Sequence, residues 1–187
     1  MAIYLIRHGE TAWTVGRRHT GRTDLPLTAA GEAQARDLGR RLAGLHFSAV
    51  WTSPRQRALR TAALAGFGDR AQPMAELAEY DYGRYEGLTT PEIRAERPGW
   101  ELWRDGCPDG EDPAAVMDRA RAVLARVGPL TAGGVALFGH GHMLRAVAAA
   151  HLGAGPELAR GLILGVGGIS ILSEEHGWPA IEAWNLR

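Results

Sequence analysis

Short apolar runs alternate along the chain with longer segments in which apolar residues recur every three or four positions. The short runs predict β-strands and the longer segments predict amphipathic helices. Strands are expected at residues 2–6, 48–52, 73–78, 135–138, 169–172 and 180–184. The last two runs are expected to pair as a hairpin that turns near Gly177. This alternation predicts an α/β fold whose sheet is parallel in its centre and mixed at one edge.

Each predicted helix begins at a residue that favours a helix N-terminus or directly follows a predicted strand. These starts are Thr28, Ser53–Pro54, Asp112–Pro113 and His140. On the first helix the apolar positions Ala35, Leu38, Leu42 and Leu45 predict one buried face, and the second helix is expected to end near Gly66. Residues 14–27 predict a loop. Residues 79–112 predict an irregular segment that folds over one end of the sheet.

The length and charge of the chain limit the number of domains and the classes of ligand that are expected. The chain has 187 residues, which suits one domain, and residues 79–112 are expected to form a small cap on it. Lys plus Arg equals Asp plus Glu, 21 against 21, so no net field favours nucleic acid or an anionic membrane. The sequence contains no lysine. Any phosphate site must therefore use Arg, His and backbone amides.

Cys107 is the one cysteine of the sequence, which excludes an intramolecular disulfide and a cysteine-based zinc cluster. The apolar run at residues 2–6 is too short for a signal sequence or a membrane span. We therefore expect a cytoplasmic protein without nucleic-acid or membrane partners.

Chemically active side chains occur at the ends of four predicted strands. His8 follows the first strand beside Arg7, and Arg57 lies one turn into the helix after the second. Glu79 follows the third strand, and His140 stands where the fourth meets its helix. If these strands are neighbours, the side chains converge on the crevice at the carboxyl ends of the strands. Together they supply a nucleophile, cations and a proton donor, which phosphoryl transfer requires.

Each residue also has a simpler interpretation. His8 alone fits a surface turn, Arg57 fits a solvated helix position, Glu79 fits a loop carboxylate and His140 fits a helix cap. The occurrence of all four at strand ends favours a shared site. A metal site at His140 and His142 is disfavoured because no carboxylate or further histidine lies near them in sequence.

Four ordered motifs resemble those of the histidine phosphatase superfamily, in its phosphoglycerate-mutase-like branch. They are Arg7-His8-Gly9, residues 52–58, residues 77–83 and Gly139-His140-Gly141-His142, and the correspondence extends from residue 3 to about residue 153. The resemblance implies a three-layer α/β/α fold of the phosphoglycerate-mutase type.

The resemblance also implies roles for the strand-end residues. His8 would attack phosphorus and carry it as a phosphohistidine, and Glu79 would protonate the leaving oxygen and then accept a proton from water. Arg7, Arg57 and His140 would bind the three equatorial phosphoryl oxygens. No metal or other cofactor is implied.

Residues 18–27 and 103–107 resemble the fungal sedoheptulose-1,7-bisphosphatase subgroup. Arg18, His19 and Arg22 would either meet a second phosphate or sugar hydroxyls, or form a solvated basic loop. The candidate substrate-binding residues are Thr14, Arg18, Thr20, Gly21 and His142.

The function expected is metal-independent hydrolysis of a small phosphorylated metabolite, of which a sugar bisphosphate is one example. A cofactor-dependent phosphoglycerate mutase is the enzymatic alternative, and a domain that binds phosphorylated ligands without turnover is the non-enzymatic one. The short segment from residue 79 to 111 offers few lid elements, which favours hydrolysis. The sequence leaves the oligomeric state open.

Overall fold

The computed structural model describes residues 2–128 and 133–187. Six strands of the described chain form one sheet in the order β3-β2-β4-β1-β5-β6. The first four in that order are parallel to one another, and β5 is antiparallel to both of its neighbours. This confirms a sheet that is parallel in the centre and mixed at one edge. The strands are β1 Ile3–Arg7, β2 Phe47–Thr52, β3 Ala71–Pro73, β4 Gly134–Gly139, β5 Ile169–Glu175 and β6 Trp178–Leu186.

Eight α-helices connect or flank these strands in the described part of the chain. They are α1 Ala12–Val15, α2 Ala29–Arg41, α3 Gln56–Ala62, α4 Thr90–Glu96, α5 Leu102–Asp105, α6 Pro113–Val127, α7 Gly141–His151 and α8 Pro156–Gly161. A π-helical turn, Ala63–Phe67, extends α3. None of the described helices is both long and apolar enough to cross a membrane.

Two apolar cores lie on opposite faces of the sheet, which confirms the three-layer arrangement. On one face Phe138 of β4 belongs to the same core as Leu38 of α2. On the other face Leu137 belongs to a core with Val123 of α6 and Val147 of α7. Because β4 is covered on both faces, its whole run is apolar rather than alternating.

The predicted helix starts at Thr28 and Asp112 are confirmed by their capping bonds. The Thr28 hydroxyl accepts a hydrogen bond from the Gly31 N–H at 3.0 Å, and an Asp112 carboxylate oxygen accepts one from the Ala115 N–H at 2.8 Å. Each oxygen satisfies a donor that the first helical turn leaves free. The predicted hairpin is also confirmed, and Gly177 supplies its positive φ of 83°.

The strand predicted at residues 73–78 is wrong. The strand is Ala71–Pro73, and Ala75–Leu77 forms a 3-10 turn instead. Pro73 has no N–H to offer a sheet, and the turn buries Leu77 as completely as a strand would. An apolar residue in so short a run does not distinguish the two conformations.

Two predicted helix boundaries are also wrong. The helix after β2 begins at Gln56, so Ser53 does not cap it and Arg57 lies in its first turn. The Ser53 hydroxyl accepts from the N–H of Arg55, the residue before the helix, at 3.3 Å and also lies 2.7 Å from Nε2 of His140. Helix α2 ends at Arg41, and Leu45 lies beyond it with 41% of its surface exposed.

The segment 79–112 is more regular than its sequence suggests, because it contains α4, α5 and a 3-10 turn at Gly83–Tyr85. A capping box that was not predicted begins α4. The Thr89 hydroxyl accepts from the Glu92 N–H, and the Glu92 carboxylate accepts from the Thr89 N–H at 2.7 Å. The loop predicted at residues 14–27 likewise includes the end of α1.

Candidate active site

The two site histidines leave neighbouring strands at the same level of the sheet. Strands β1 and β4 pair with Arg7 opposite Gly139, so His8 and His140 are the next residues on each. The His8 N–H donates to the Gly139 carbonyl oxygen at 3.0 Å. The imidazole rings meet edge to face with their centroids 5.1 Å apart. The predicted convergence of these strand ends is therefore present in the fold.

Close backbone packing holds the turn that carries His8. A Cβ atom on Gly9 would clash with the carbonyl oxygen of Gly31 in α2. The Gly9 N–H also donates to the hydroxyl of Thr61 at 3.1 Å. The glycine after His8 thus lets the turn lie directly on α2, which fixes the position of the imidazole.

His8 is 4% exposed, and the surroundings of its ring determine its protonation. Its Nδ1 atom lies 2.7 Å from the Gly9 carbonyl oxygen. Because a carbonyl oxygen only accepts, Nδ1 carries the proton and Nε2 keeps its lone pair. Burial, followed by the positive charges of Arg7 and Arg57, holds the pKa of His8 well below its ordinary value. The ring is therefore neutral and nucleophilic near pH 7.

Arg7 lies against the start of α7. A Cβ atom on Gly141 would stand 3.1 Å from the Arg7 Cζ atom, so glycine allows the guanidinium group to approach this helix end. One of its terminal nitrogens donates to the Leu164 carbonyl oxygen at 2.5 Å. Its Nε atom is buried and has no hydrogen-bond partner within the described chain. A buried donor of this kind is costly unless a ligand supplies the acceptor.

Backbone amides hold the Glu79 carboxylate beside the same helix end. One of its oxygens accepts from the N–H groups of Tyr80 and Met143, both at 2.9 Å. The other accepts from the His142 N–H at 3.0 Å. The N-terminal turn of α7 is a favourable place for a carboxylate. These bonds bring Glu79 to the wall of the cavity that also contains His8.

Arg57 and His140 are fully buried and bind one another. The Arg57 Nε–H donates to Nδ1 of His140 at 3.2 Å, so the His140 proton is on Nε2, which donates to Ser53. The two terminal nitrogens of Arg57 donate to the carbonyl oxygens of Thr20, Gly21 and Thr23 at 3.0 to 3.1 Å. Arg57 is thus a buried anchor for the loop after β1, and the solvated alternative does not apply.

A cavity of about 340 Å³ opens at this edge of the sheet. Three of the predicted site residues, Arg57, His140 and Gly21, are buried and do not line it. The predicted site residues that line it are Arg7, His8, Thr14, Arg18, Thr20, Glu79 and His142.

The predicted substrate-binding residues already have protein partners. The Thr14 hydroxyl donates to the Thr11 carbonyl oxygen at 2.8 Å, and the Thr20 hydroxyl donates to the Arg18 carbonyl oxygen at 3.0 Å. Gly21 donates its N–H to the Glu86 carboxylate at 2.9 Å. These bonds order the loop and leave fewer donors for a ligand.

Several residues that sequence reasoning did not assign also line the cavity. Arg17 and Arg145 add two cations, and Glu79 is the one carboxylate in the described wall. The Tyr82 hydroxyl lies 2.6 Å from Nδ1 of His142. Arg145 stands three residues after His142 on α7, a spacing that places both on one helix face and could have revealed it.

The cavity therefore combines a neutral imidazole with an excess of guanidinium groups, a combination suited to an anionic ligand. Within residues 2–128 and 133–187, no group of three or more His, Cys, Asp or Glu side chains is arranged to hold a metal ion.

Sequence comparison connects this site with known phosphatases. The family model for the histidine phosphatase superfamily (branch 1) matches residues 3–187. An acid phosphatase of Mycobacterium tuberculosis is 47% identical over 148 residues, which are 78% of this chain and 72% of that protein. A sedoheptulose 1,7-bisphosphatase of Saccharomyces cerevisiae is 34% identical over 185 residues, covering 82% of this chain and 68% of that protein. A probable phosphoglycerate mutase of Klebsiella pneumoniae is 35% identical over 162 residues, covering 82% of this chain and 75% of that protein.

The fold has solved counterparts as well. The structure of a functionally characterised open reading frame from Mycobacterium tuberculosis superposes with a TM-score of 0.95 at 39% identity, covering 99% of this chain and 97% of that one. Together the fold and site define an α/β enzyme that acts on phosphate groups. The chain belongs to the histidine phosphatase superfamily, branch 1. It is a phosphatase that hydrolyses phosphate esters, as the resemblance of its four motifs predicted.

Proposed function

We propose that the protein hydrolyses small phosphate esters in two steps through a phosphohistidine at His8, without a metal ion. The observation that carries this proposal is the His8 ring, whose proton is on Nδ1 and whose Nε2 lone pair is free in a cationic cavity. Nucleophilic catalysis divides a difficult displacement into two easier ones.

In the first step the Nε2 lone pair of His8 forms a bond to phosphorus, and the bond from phosphorus to the ester oxygen breaks. Glu79 enters this step protonated and gives its proton to the departing oxygen, which leaves as an alcohol. It thereby becomes the carboxylate that the three backbone N–H groups stabilise. Arg7 stabilises the phosphoryl oxygens, because its unpartnered Nε–H and its charge are already in position.

In the second step a water molecule attacks the phosphohistidine, and Glu79 accepts one of the protons of that water. The bond between phosphorus and Nε2 breaks, and its electron pair returns to the imidazole. Inorganic phosphate is released, and His8 regains the neutral form that its surroundings favour. The overall reaction converts an ester and water into an alcohol and phosphate.

We infer indirect roles for Arg57 and His140 before substrate binds. Every nitrogen of the Arg57 side chain already donates to the protein, and both nitrogens of His140 are bonded. Together they support the His8 ring and hold the loop that carries Thr20. Their direct contact with phosphoryl oxygens remains a prediction, because it requires some of these bonds to exchange for bonds to substrate.

The substrate class proposed is a small phosphorylated metabolite such as a sugar phosphate, as the name of the yeast relative also suggests. Within the single domain proposed for residues 1–187, we infer that residues 79–112 act as a cap, since Tyr82 and Thr90 of this segment form part of the cavity wall. Thr14, Arg18, Thr20 and His142 would contact the substrate beyond its phosphoryl group. A cytoplasmic location agrees with the free, buried Cys107.

Mutase activity is the second candidate, because a probable phosphoglycerate mutase is among the relatives. A mutase would return the phosphoryl group from His8 to a second hydroxyl instead of to water. Addition of 2,3-bisphosphoglycerate distinguishes the two activities. It would phosphorylate His8 of a mutase and so start the interconversion of 2- and 3-phosphoglycerate. A hydrolase would show no such interconversion.

The test is steady-state hydrolysis of p-nitrophenyl phosphate and of a panel of sugar phosphates, phosphoglycerates and nucleotides. Wild-type protein treated with EDTA should keep its activity, and His8→Ala should lose about three or more orders of magnitude. Exposed His176, replaced by Ala, is the matched control and should leave the rate unchanged. Full activity in His8→Ala would refute the proposed mechanism.

A further inference from the structure

A second cavity of about 170 Å³, here called the side cavity, adjoins the first beneath α4 and α5. The two cavities share four wall residues, so they lie directly next to each other. The shared residues are His19, Thr90, His142 and Arg145. The remaining wall of the side cavity is formed by Arg94, Trp100, Glu101, Leu102, Trp103 and Arg160.

The side cavity collects positive charge that the protein does not neutralise. Within the described residues, Arg94, Arg145 and Arg160 have no carboxylate at ion-pair distance. Glu101 is the one carboxylate among the described residues of this wall, and one of its oxygens accepts from the Trp103 N–H at 3.1 Å. The charges of the wall are therefore three positive against one negative.

Arg18 and Arg22 of the loop after β1 differ in this respect. Arg18 lies 3.6 Å from the Glu92 carboxylate, and Arg22 lies 2.6 Å from that of Asp81. Arg22 does not line the first cavity. Arg17 of this loop does line the first cavity, and within the described residues it has no carboxylate at ion-pair distance. The side cavity holds three such cations against this one, so their number points to the side cavity as the place for another anion.

Two of the side-cavity guanidinium groups are held in place before any ligand arrives. The Arg94 Nε–H donates to the Trp100 carbonyl oxygen at 2.9 Å. The Arg145 Nε–H donates to the Ala159 carbonyl oxygen at 2.7 Å, and the group lies over the Trp103 ring at 5.2 Å from its centre. A guanidinium fixed in this way loses little entropy on binding a phosphate.

We propose that the side cavity binds the second phosphate of a bisphosphorylated substrate while the reacting phosphate lies against His8. This inference rests on the proposed function and specifies its substrate class. A monophosphate bound at His8 would leave the positive charges of the side cavity without a negative partner, whereas a bisphosphate would supply one. Arg160 gives the cleanest test, since its exposed side chain makes no hydrogen bond within the described chain.

The experiment measures competitive inhibition of p-nitrophenyl phosphate hydrolysis by sugar phosphates, so it does not depend on their turnover. The inhibitors are fructose 1,6-bisphosphate and sedoheptulose 1,7-bisphosphate, each compared with its two monophosphates. In the wild type at least one bisphosphate should bind about tenfold more tightly than either of its monophosphates, the effect of one charge-assisted contact.

Arg160→Gln and Arg94→Gln should each remove most of this difference and leave the inhibition by monophosphates within about twofold. Arg160→Lys should restore part of it. Arg36→Gln, which removes an Arg that pairs with Glu32 on α2, is the control and should keep the full difference. Thermal unfolding of each variant checks that the fold is retained.

Equal binding of bisphosphates and monophosphates by the wild type would overturn the inference, and so would a difference that survives in both Gln variants. In either case hydrolysis of p-nitrophenyl phosphate would still support the proposed function. Loss of that hydrolysis from the wild type would instead contradict the proposed function itself, so the two failures are distinguishable.

Discussion

The Nδ1–H of His8 donates to the carbonyl oxygen of Gly9 at 2.7 Å, and this bond determines which ring nitrogen can react. The acceptor belongs to the backbone of the turn that rests on Gly31, so the tautomer is fixed by the fold. The nearby positive charges of Arg7 and Arg57 oppose protonation of Nε2. The cations that suit the cavity to phosphate thus also keep its nucleophile neutral.

The first prediction concerns stability in mild acid. Burial is the main cause that holds the pKa of both His8 and His140 well below the ordinary value of 6.5. Below pH 6.5 the unfolded chain binds protons at these positions and the folded chain does not, so acid favours unfolding. As the pH falls, protonation of each histidine in the unfolded chain should lower the free energy of unfolding by about 1.4 kcal/mol for each pH unit. This loss continues until the pH reaches the folded-state pKa of that histidine.

Urea unfolding at pH values from 7 to 5 measures this dependence. The variant His140→Gln should show a smaller loss of stability per pH unit than the wild type. His176 is exposed, and His176→Gln should keep the wild-type slope. Identical slopes in all three proteins would show that His140 is not held neutral by burial.

The second prediction concerns the approach of Arg7 to α7. In Gly141→Ala the new Cβ atom would lie 3.1 Å from the Arg7 Cζ atom, so the guanidinium group must move by a few tenths of an ångström. A displacement next to the reacting group should lower kcat/KM by about tenfold or more. Gly161→Ala in α8 is the matched control, because nothing lies within 4 Å of its added Cβ. Equal kinetics for the two variants would argue against contact of Arg7 with the phosphoryl group.

The third prediction concerns the anchoring role of Arg57. In Arg57→Ala three backbone carbonyl oxygens of the loop after β1 lose their donors, as does Nδ1 of His140. We expect a loss of about 2–4 kcal/mol in the free energy of unfolding. Limited trypsin digestion should also cleave after Arg22 faster than in the wild type. Unchanged protection of this loop would contradict the anchoring role.

The fourth prediction separates the two proton transfers assigned to Glu79. Glu79→Gln removes both proton transfers. Because p-nitrophenolate leaves without a proton, formation of the phosphohistidine from p-nitrophenyl phosphate should slow less than its hydrolysis does. Hydrolysis of the intermediate still needs a base and should become rate-limiting. Rapid mixing should therefore show a burst of one p-nitrophenol per active site, followed by slow turnover. Slow product formation without a burst would mean that Glu79 acts mainly in the first step.

Much of this arrangement could be predicted from the sequence, because short motifs at strand ends depend on local pattern and strand order. Arg7, His8 and Glu79 reach one cavity. The end of the first predicted strand suggested this for Arg7 and His8, whereas Glu79 follows a 3-10 turn and not the strand predicted before it. The contact of Ser53 with His140 could not be predicted, since it joins residues 87 positions apart.

The wall of the cavity was harder to foresee than its chemical centre. Arg145 follows His142 by one helical turn, yet its role depends on Trp103, which packs beneath its guanidinium group from α5. Pairing of Arg18 with Glu92 likewise depends on how the segment 79–112 folds back over the loop. Long-range charge compensation of this kind requires three-dimensional positions.

The central claim is that His8 carries the phosphoryl group. The most direct test mixes Glu79→Gln with ³²P-labelled substrate and stops the reaction rapidly without acid. We predict alkali-stable, acid-labile label that peptide mapping assigns to His8, and no label when His8→Ala is added to the same variant. Catalytic turnover by the wild type with no labelled histidine, together with retained activity in His8→Ala, would contradict the account.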